Sequence, residues 1–352
     1  MAVAEAENMQ AAILYGKEDV RLESVPIPEI GPGELLVRVR TALTCGTDVK
    51  VFRRGYHAKM IRPPALFGHE MAGDVVAVGE GVAHFRPGQR IVAANSAPCD
   101  RCFFCQHGQQ NLCQDLLFNN GAYAEFIRLP ARIVQKNTYV IPSSLGYKDA
   151  ALVEPLACSV RGLDESNVHA GDTLAIIGLG PIGLMFVQLA KYAYGAHVIA
   201  IARRQEQVDR AMLLGADEGL LMRDHATLAS ELKALTGGRG ADVVIEAIGH
   251  PEAWELATQL VRRGGTINFF GGCPSGTKVG LDTGLLHYSE ITCRASFHHT
   301  PAHIRRSLEF LAQGKVNASF LVNHEEPLSQ LPQVLHDLAY RRNGQIKTAI
   351  IP

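Results

Sequence analysis

The sequence predicts an α/β fold in two domains: a β-rich domain over residues 1–155 and a doubly wound parallel-sheet domain over residues 156–294, with residues 295–352 returning to the first. The chain has 352 residues, more than a single hydrophobic core usually serves. Up to about residue 155, short Val/Ile-rich runs are broken by glycine and proline, which is typical of strands. From about residue 165, apolar runs alternate with amphipathic segments, as in a parallel sheet covered by helices.

The individual elements follow from the spacing of apolar residues. In the first domain, strands are expected at residues 34–40, 74–78 and 90–94. In the second, buried strands are expected at 173–177, 197–202, 241–245 and 266–270, with helices at 182–194, 205–214, 226–235 and 252–261. Beyond residue 295 the alternation stops, and a helix (301–312) and a final strand (348–351) are expected.

Composition and charge exclude several classes of protein. The chain is 47% hydrophobic and 20% charged, unlike a disordered chain. Its net charge is -1, from 34 basic and 35 acidic residues, so nucleic acid is not an expected partner. Residues 1–10 lack a basic start followed by an apolar run, so we expect a cytoplasmic protein. The uncharged stretch 173–190 is long enough for a membrane helix, but its glycines and proline favour a strand, a turn and a helix.

A glycine motif lies between a predicted strand and a predicted helix, and it reads Gly178-Leu179-Gly180-Pro181-Ile182-Gly183. The first glycine permits a tight turn, the second lets the backbone approach a pyrophosphate, and the third lets the helix pack on the strand. The helix start offers N–H groups and partial positive charge to phosphates. A plain turn between core elements is the alternative, but the flanking strand and helix favour a dinucleotide site.

The second strand of this predicted sheet ends in Ala202-Arg203-Arg204. NAD-binding folds place an acidic residue there to hold the ribose hydroxyls. This strand end has no carboxylate to repel a 2′-phosphate, and two guanidiniums could bind one by forked hydrogen bonds. The sequence therefore favours NADP over NAD, although the arginines could also be an ordinary solvated helix start.

Eight cysteines are present, and four of them fall close together as Cys99, Cys102, Cys105 and Cys113. Four thiolates at this spacing can surround Zn²⁺ tetrahedrally and leave no open position. In a cytosolic chain such a cluster indicates a metal rather than disulfides. We expect a structural zinc here.

A second set of possible ligands is dispersed: Cys45, His69, Glu70 and Glu154. Singly they could be a buried thiol, a core histidine and helix-face carboxylates, and spacing alone does not join them. Together they offer a thiolate, an imidazole and two carboxylates, enough for a zinc with one position open to water or substrate.

These motifs, in this order, resemble the medium-chain zinc-dependent alcohol dehydrogenase superfamily over essentially the whole chain. Gly68-His69-Glu70 and Glu154-Pro155-Leu156-Ala157 are most similar to the sorbitol (polyol) dehydrogenase branch. The threonine dehydrogenase branch shares a Cys-Gly-Thr-Asp start but usually lacks Glu-Pro-Leu-Ala. The resemblance implies a GroES-like catalytic domain, a Rossmann cofactor domain, an active site in the cleft between them, and a homodimer or homotetramer.

The resemblance also implies roles for residues. Cys45, His69 and either Glu70 or Glu154 would bind the catalytic zinc. It places Thr47 beside the zinc-bound oxygen, Lys347 at the pyrophosphate and Phe297 along the nicotinamide. Separately from the resemblance, Phe52, Phe118 and His298 are candidate walls of the substrate pocket, and each could equally be a core or surface residue.

The chain departs from the family pattern at two positions. His298 stands where sorbitol dehydrogenases often have arginine, which leaves the substrate range open. Lys50 stands where a histidine commonly relays a proton to solvent. A lysine with a pKa of about 10.4 cannot accept a proton at neutral pH unless burial or the zinc charge lowers that pKa. It could instead hold a ribose hydroxyl or the substrate.

The expected function is reversible oxidation of a secondary alcohol of polyol, sugar or cyclitol type to a ketone, with two zinc ions per chain and NADP(H) or NAD(H). The alternatives are a threonine-dehydrogenase-like oxidation of an amino alcohol and a non-catalytic, nucleotide-binding zinc protein. A zinc-free reductase of the same fold would lack both metal constellations.

Overall fold

The computed structural model describes residues 7–57, 59–340 and 344–352. Residues 1–6, part of the N-terminal segment considered above, lie outside this range. The described residues form two compact units. The first unit comprises the chain up to Pro155 together with Thr300–Ala312 and Ala318–Pro352, and the second comprises Leu156–His299 and Gln313–Asn317.

The N-terminal part of the first unit is mostly short strands with a few helical segments. In chain order these are β1 Asn8–Gly16, β2 Asp19–Pro26, β3 Leu35–Leu43, α1 Gly46–Arg54, β4 Ala65–Leu66, β5 Glu70–Val78, β6 Arg90–Ala93, β7 Ser96–Ala97, α2 Phe103–Gln106, β8 Leu117–Phe118, β9 Phe126–Leu129, α3 Ala131–Asn137, β10 Thr138–Val140 and α4 Tyr147–Ala150.

Helices and parallel strands alternate through the next part of the chain. They are α5 Val153–Glu165, β11 Thr173–Ile177, α6 Pro181–Leu189, β12 His197–Ala202, α7 Gln205–Leu213, β13 Glu218–Leu221, α8 His225–Leu235, β14 Ala241–Glu246, α9 Pro251–Leu260, β15 Val261–Phe269, α10 Thr283–Tyr288 and β16 Thr292–Arg294. A π-helical segment, Ala190–Tyr194, directly continues α6.

The C-terminal part of the chain contains α11 Pro301–Ala312, α12 Ala318–Leu321, β17 Val322–Pro327, α13 Leu331–Tyr340 and β18 Lys347–Ile351. None of the helices in the described part of the chain combines the length and apolarity that a membrane crossing needs.

A mixed sheet organises the first unit, in the strand order β10-β6-β5-β3-β18-β17, with β9 also paired to β3. Strands β3 and β5 are antiparallel with Leu43 opposite Glu70, and β18 is antiparallel to β3 with Ala349 opposite Leu43. This register brings the end of β3 and the starts of β5 and β18 to one end of the sheet. Apolar side chains from these strands form the core of the unit.

The second unit is a parallel sheet in the order β13-β12-β11-β14-β15-β16. The strand order reverses between β11 and β14, so the loop after β11 lies at the switch point where doubly wound sheets bind dinucleotides. Apolar residues of the strands and of α8 and α9 pack into a continuous core.

Most predicted elements of the second unit are confirmed within one or two residues, and the predicted helix over 301–312 coincides with α11. The strand expected at 266–270 begins earlier, at Val261. The spacing of apolar residues missed β13 and β16, whose residues are half-buried or exposed. Such strands lack the continuous apolar run that identified their neighbours.

Candidate active site

Three dispersed residues of the first unit converge at one end of its sheet. Cys45 follows β3, while His69 and Glu70 lie at the start of β5, which pairs with β3. One ligand atom of each residue lies within 4.8 Å of the corresponding atoms of the other two. His69 and Glu70 are buried and Cys45 is half-buried. The set offers one sulfur, one nitrogen and one oxygen ligand, and three protein ligands leave a fourth tetrahedral position for water or substrate, as in a catalytic zinc site.

The start of helix α1 fixes the Cys45 side chain. Cys45 is the N-cap, its Sγ accepts a hydrogen bond from the Thr47 backbone N–H at 3.4 Å, and its own N–H donates to Asp48 Oδ2 at 3.3 Å. The two bonds form a reciprocal cap, so the start of helix α1 also fixes the orientation of the Cys45 thiol. Gly55, with φ of 90°, ends the helix in a left-handed conformation that favours glycine.

Asp48 orients the imidazole of His69. Its Oδ1 lies 2.9 Å from His69 Nδ1, and its Oδ2 accepts a hydrogen bond from the Tyr123 hydroxyl at 2.6 Å. Burial lowers the pKa of His69, but the charges of Asp48 and Cys45 and the hydrogen bonds to them together outweigh burial and raise that pKa well above its usual value. The Asp48 contact directs Nε2 of His69 toward a metal, as carboxylate partners of zinc-binding histidines commonly do.

Sequence reasoning did not single out Asp48 or Tyr123. The spacing of Asp48, three residues after a capping Cys45, could have indicated it. Tyr123 joins the site from 75 residues away, and the sequence carries no local pattern that connects the two.

Lys347, which the resemblance assigns to a pyrophosphate contact, lies beside Glu70 in the structure. It is only 2% exposed. Its Nζ lies 2.7 Å from Glu70 Oε2 and donates to the Thr44 carbonyl at 2.7 Å. Its charge is therefore directed at Glu70, because β18 enters the sheet beside β3 and the side chain points into the protein.

Glu70 sits in an unusual electrostatic environment. Burial raises the pKa of Glu70 to about 7, with a further contribution from the negative charge of Glu154, although the Lys347 ammonium opposes the shift. Burial lowers the pKa of Lys347, but the neighbouring acidic groups, Glu70 first among them, together raise it. Glu154 thus acts on the site electrostatically, while Glu70 is the carboxylate grouped with Cys45 and His69.

Thr47 and Lys50 both lie on helix α1, three residues apart, so they are neighbours on one face of the helix. Thr47 is half-buried and Lys50 is exposed. Phe52, a candidate pocket wall, is 4% exposed and belongs to the core of the first unit. Phe118, another candidate, is half-buried in β8, where it pairs with Ser96.

The four clustered cysteines also converge, with Sγ atoms all within 4.8 Å of one another. A tetrahedral zinc with Zn–S bonds of about 2.3 Å separates its sulfurs by about 3.8 Å. Cys102 and Cys113 lie 3.9 Å apart, so the sulfur geometry fits a closed zinc site. Backbone N–H donors lower the pKa of Cys102 to about 6, whereas burial raises that of Cys105 to about 12.

The glycine motif forms a tight turn between β11 and α6. Gly178 has φ of 97°. A Cβ at Gly183 would lie 1.9 Å from the Gly178 carbonyl oxygen, so only glycine allows helix and strand to approach this closely. A Cβ at Gly180 would meet nothing within 4 Å. The space beside Gly180, at the start of α6, is where a pyrophosphate would approach the backbone.

Arg203 and Arg204 follow β12 directly, on the carboxyl edge of the sheet, and both are exposed. Arg204 is the N-cap of α7. Arg203 Nη2 lies 3.3 Å from Glu252 Oε2. The expectation that this position has no carboxylate nearby is therefore wrong, because Glu252 reaches it from helix α9 and not from β12.

Phe297 is 50% exposed, and its carbonyl accepts a hydrogen bond from the buried Arg161 at 2.7 Å. The preceding Ser296 accepts one from Asn268 at 2.9 Å. His298 has φ of 66°, a strained conformation for a residue with a side chain. The two hydrogen bonds anchor residues 296 and 297 to helix α5 and strand β15 of the second unit.

Comparison with known proteins decides the family. A sorbitol dehydrogenase from Bacillus subtilis (strain 168) is 31% identical over 353 residues, covering 98% of each chain. The chain belongs to the medium-chain zinc-dependent alcohol dehydrogenase superfamily. Residues 31–142 match the family model for an alcohol dehydrogenase GroES-like domain, and residues 181–313 match that for a zinc-binding dehydrogenase. The resemblance inferred from the motifs is confirmed.

Other relatives of this dehydrogenase include an erythritol/L-threitol dehydrogenase from Mycolicibacterium smegmatis, 30% identical over 98% of each chain. An L-threonine 3-dehydrogenase from Bacillus licheniformis is 36% identical over 74% of this chain and 75% of its own. A zinc-binding dehydrogenase from Sinorhizobium meliloti 1021, solved bound to NADP, has a TM-score of 0.89 at 32% identity, covering 99% of this chain and 100% of its own. The predicted fold class and the assignment as an oxidoreductase are confirmed.

Proposed function

We propose that this dehydrogenase reversibly oxidises a secondary alcohol of polyol, sugar or cyclitol type to a ketone, with NADP(H) preferred over NAD(H). One observation carries the proposal: a thiol, an imidazole and a carboxylate from Cys45, His69 and Glu70 meet within 4.8 Å. Asp48 already orients the imidazole. The glycine turn after β11 supplies the dinucleotide site on the second unit.

Cys45, His69 and either Glu70 or Glu154 would hold the catalytic zinc, and Cys99, Cys102, Cys105 and Cys113 would hold a structural one. When bound, Zn²⁺ supplies Lewis acidity toward the substrate oxygen and favours loss of the hydroxyl proton. Lys347 limits the negative charge that Glu70 adds to the site. Glu70 could therefore serve as the direct zinc ligand, or it could stay paired with Lys347 while Glu154 binds the zinc.

Thr47 is the residue we assign to the substrate hydroxyl. Its hydroxyl can accept the hydrogen bond of that group and pass the proton onward. Lys50 follows three residues later on the same face of α1. It either relays the proton toward solvent or binds a ribose or substrate hydroxyl. A pH profile of turnover for Lys50→Met separates the two roles, since only the first changes the shape of the profile.

The substrate class rests on relatives. Sorbitol, erythritol/L-threitol and D-arabinitol dehydrogenases match nearly the full chain at 30–31% identity. A threonine-dehydrogenase-like oxidation is the second candidate, favoured by the 36% identical relative that covers 74% of the chain. The cofactor preference rests on Arg203 and Arg204 and on the NADP-bound relative. A homodimer or homotetramer is proposed by resemblance to the family.

The test combines a substrate screen with one substitution. Polyols, sugars, cyclitols and L-threonine are assayed with NADP and NAD in parallel, and turnover is expected with members of the first three classes. Cys45→Ser should abolish turnover while NADPH binding persists. Cys293→Ser, at an exposed cysteine outside both clusters, is the control and should keep full activity. Activity retained in Cys45→Ser would refute the zinc mechanism, and turnover of L-threonine alone would refute the substrate class.

A further inference from the structure

We propose that Arg203 and Glu252 form a two-way selector for the cofactor. In this proposal Arg203 binds the 2′-phosphate of NADP, whereas Glu252 accepts a hydrogen bond from the free 2′-hydroxyl of NAD. The chain would then use both cofactors, with a preference set by the balance between the two side chains. The inference rests on the proposed nicotinamide-dependent function and deepens it by assigning the residue that limits the preference for NADP.

The topology brings the two side chains together over the glycine turn. Arg203 follows β12 and Glu252 lies in the first turn of α9, which follows β14. Strands β12 and β14 flank β11 on its two sides. The β14–α9 connection also approaches the turn itself, because a Cβ at Gly178 would lie 2.4 Å from the Ile248 side chain. Both residues therefore border the region where the adenosine ribose of a bound dinucleotide is expected.

The ion pair between Arg203 and Glu252 is weak enough for another anion to replace Glu252 as the partner of Arg203. The Nη2 to Oε2 distance is 3.3 Å, and the two side chains are 65% and 60% exposed. An ion pair this exposed is weak, since water and salt screen it. A phosphate carries more charge than a carboxylate and accepts two parallel hydrogen bonds from a guanidinium. The 2′-phosphate can thus displace Glu252 from Arg203.

Glu252 acts against NADP and in favour of NAD. Once displaced, its carboxylate stays within reach of the phosphate, and like charges repel. When the ribose carries a hydroxyl instead, the carboxylate is an acceptor for it, the role that an acidic residue at the end of the second strand plays in NAD-binding folds. Here the acidic residue would be Glu252 of helix α9 rather than a residue at the end of β12. Two other basic residues lie close to this ion pair. His250 Nδ1 lies 3.9 Å from Glu252 Oε2, and Arg204 directly follows Arg203 in the chain.

The test measures dissociation constants of NADPH and NADH on the full-length protein by calorimetry, for wild type, Glu252→Gln, Arg203→Gln and Glu255→Gln. Glu255 is exposed one turn farther along α9, so its substitution removes the same charge from the same helix and serves as the control. Glu252→Gln should raise the ratio of NADPH to NADH affinity about fivefold, consistent with the loss of one exposed charge interaction. Arg203→Gln should lower that ratio by about tenfold or more.

The outcomes separate this inference from the proposed function. If wild type binds both cofactors but Glu252→Gln leaves the ratio unchanged, or shifts it no more than Glu255→Gln does, the selector is refuted and the dehydrogenase function stands. If wild type binds neither cofactor, the proposed function fails, and the selector fails with it. Opposite shifts for Glu252→Gln and Arg203→Gln, with Glu255→Gln near wild type, support the selector.

Discussion

Asp48→Asn tests how the protein prepares His69 for a metal. Asp48 accepts from three donors: its Oδ1 faces His69 Nδ1, and its Oδ2 takes the Tyr123 hydroxyl and the Cys45 backbone N–H. Asparagine has the same shape but one of its two terminal groups is a donor. An amide turned with its nitrogen toward His69 would force the proton onto Nε2 and block metal binding there. Turned the other way, the amide would place its nitrogen against two donors.

The magnitude follows from the burial of the pair. Loss of a carboxylate partner of a metal-binding histidine lowers metal affinity by about 10- to 100-fold, or about 1.4 to 2.7 kcal/mol, because each tenfold change is about 1.36 kcal/mol. Asp48 is 2% exposed and His69 is 5% exposed, so water cannot replace the lost bond. We therefore expect the upper half of that range, about 30- to 100-fold weaker binding of one zinc.

The assay is competition for zinc with a chelator of known affinity, which resolves one weakened and one unchanged site per chain. Asp74→Asn is the matched control. Asp74 also accepts a hydrogen bond from a tyrosine hydroxyl, that of Tyr147, and pairs with Arg40, but among the described residues it has no histidine partner. That control should lower thermal stability and leave both zinc affinities unchanged. If Asp48→Asn binds zinc as tightly as wild type, Asp48 does not orient His69 and the reasoning is refuted.

Three further predictions concern other parts of the chain. Cys99→Ser should cost one zinc per chain and lower the melting temperature by more than about 4 °C; an unchanged melting temperature would contradict a structural zinc. Gly180→Ala should leave the melting temperature near that of wild type, because its Cβ has open space, but weaken NADPH binding about tenfold or more by obstructing the pyrophosphate; unchanged affinity in a titration would count against that site. Although partial burial raises the pKa of Asp217, the hydrogen bonds from the Lys191 ammonium and the Val198 N–H, together with neighbouring basic groups, hold it below the usual value. Ionised Asp217 therefore stabilises the fold above its unfolded pKa of about 4, and this contribution is lost as pH falls through the lowered folded-state pKa. The melting-temperature difference between wild type and Asp217→Asn should shrink from pH 6 to pH 3, and a constant difference would contradict the assignment.

The second unit was largely predictable because its strands are buried on both faces. Continuous apolar runs such as the one in β11 and the glycine motif that follows it are local features, and they need no partner to be recognised. The edge strands were not predictable, because a strand such as β16, whose residues are all exposed, carries no hydrophobic pattern. Edge positions are defined by their neighbours rather than by their own residues.

The candidate site was predictable only as far as local motifs reach. Cys45 and His69 stand in recognisable short segments, but Lys347 pairs with a Glu70 that is 277 residues away. The carboxylate of Glu252 was not predictable for the same reason, since it lies 49 residues from Arg203 in the sequence. Contacts between distant segments depend on strand order and register, which local sequence patterns do not encode.

In the proposed active site, Cys45 and His69 bind zinc together with a glutamate and leave one position open. Anomalous diffraction at the zinc edge from crystals of the purified protein tests it most directly. We predict two zinc peaks per chain, one among the four cysteines and one about 2.3 Å from Cys45 Sγ and about 2.0–2.1 Å from His69 Nε2. A single peak at the cysteine cluster, in protein that oxidises polyols at full rate, would contradict the account.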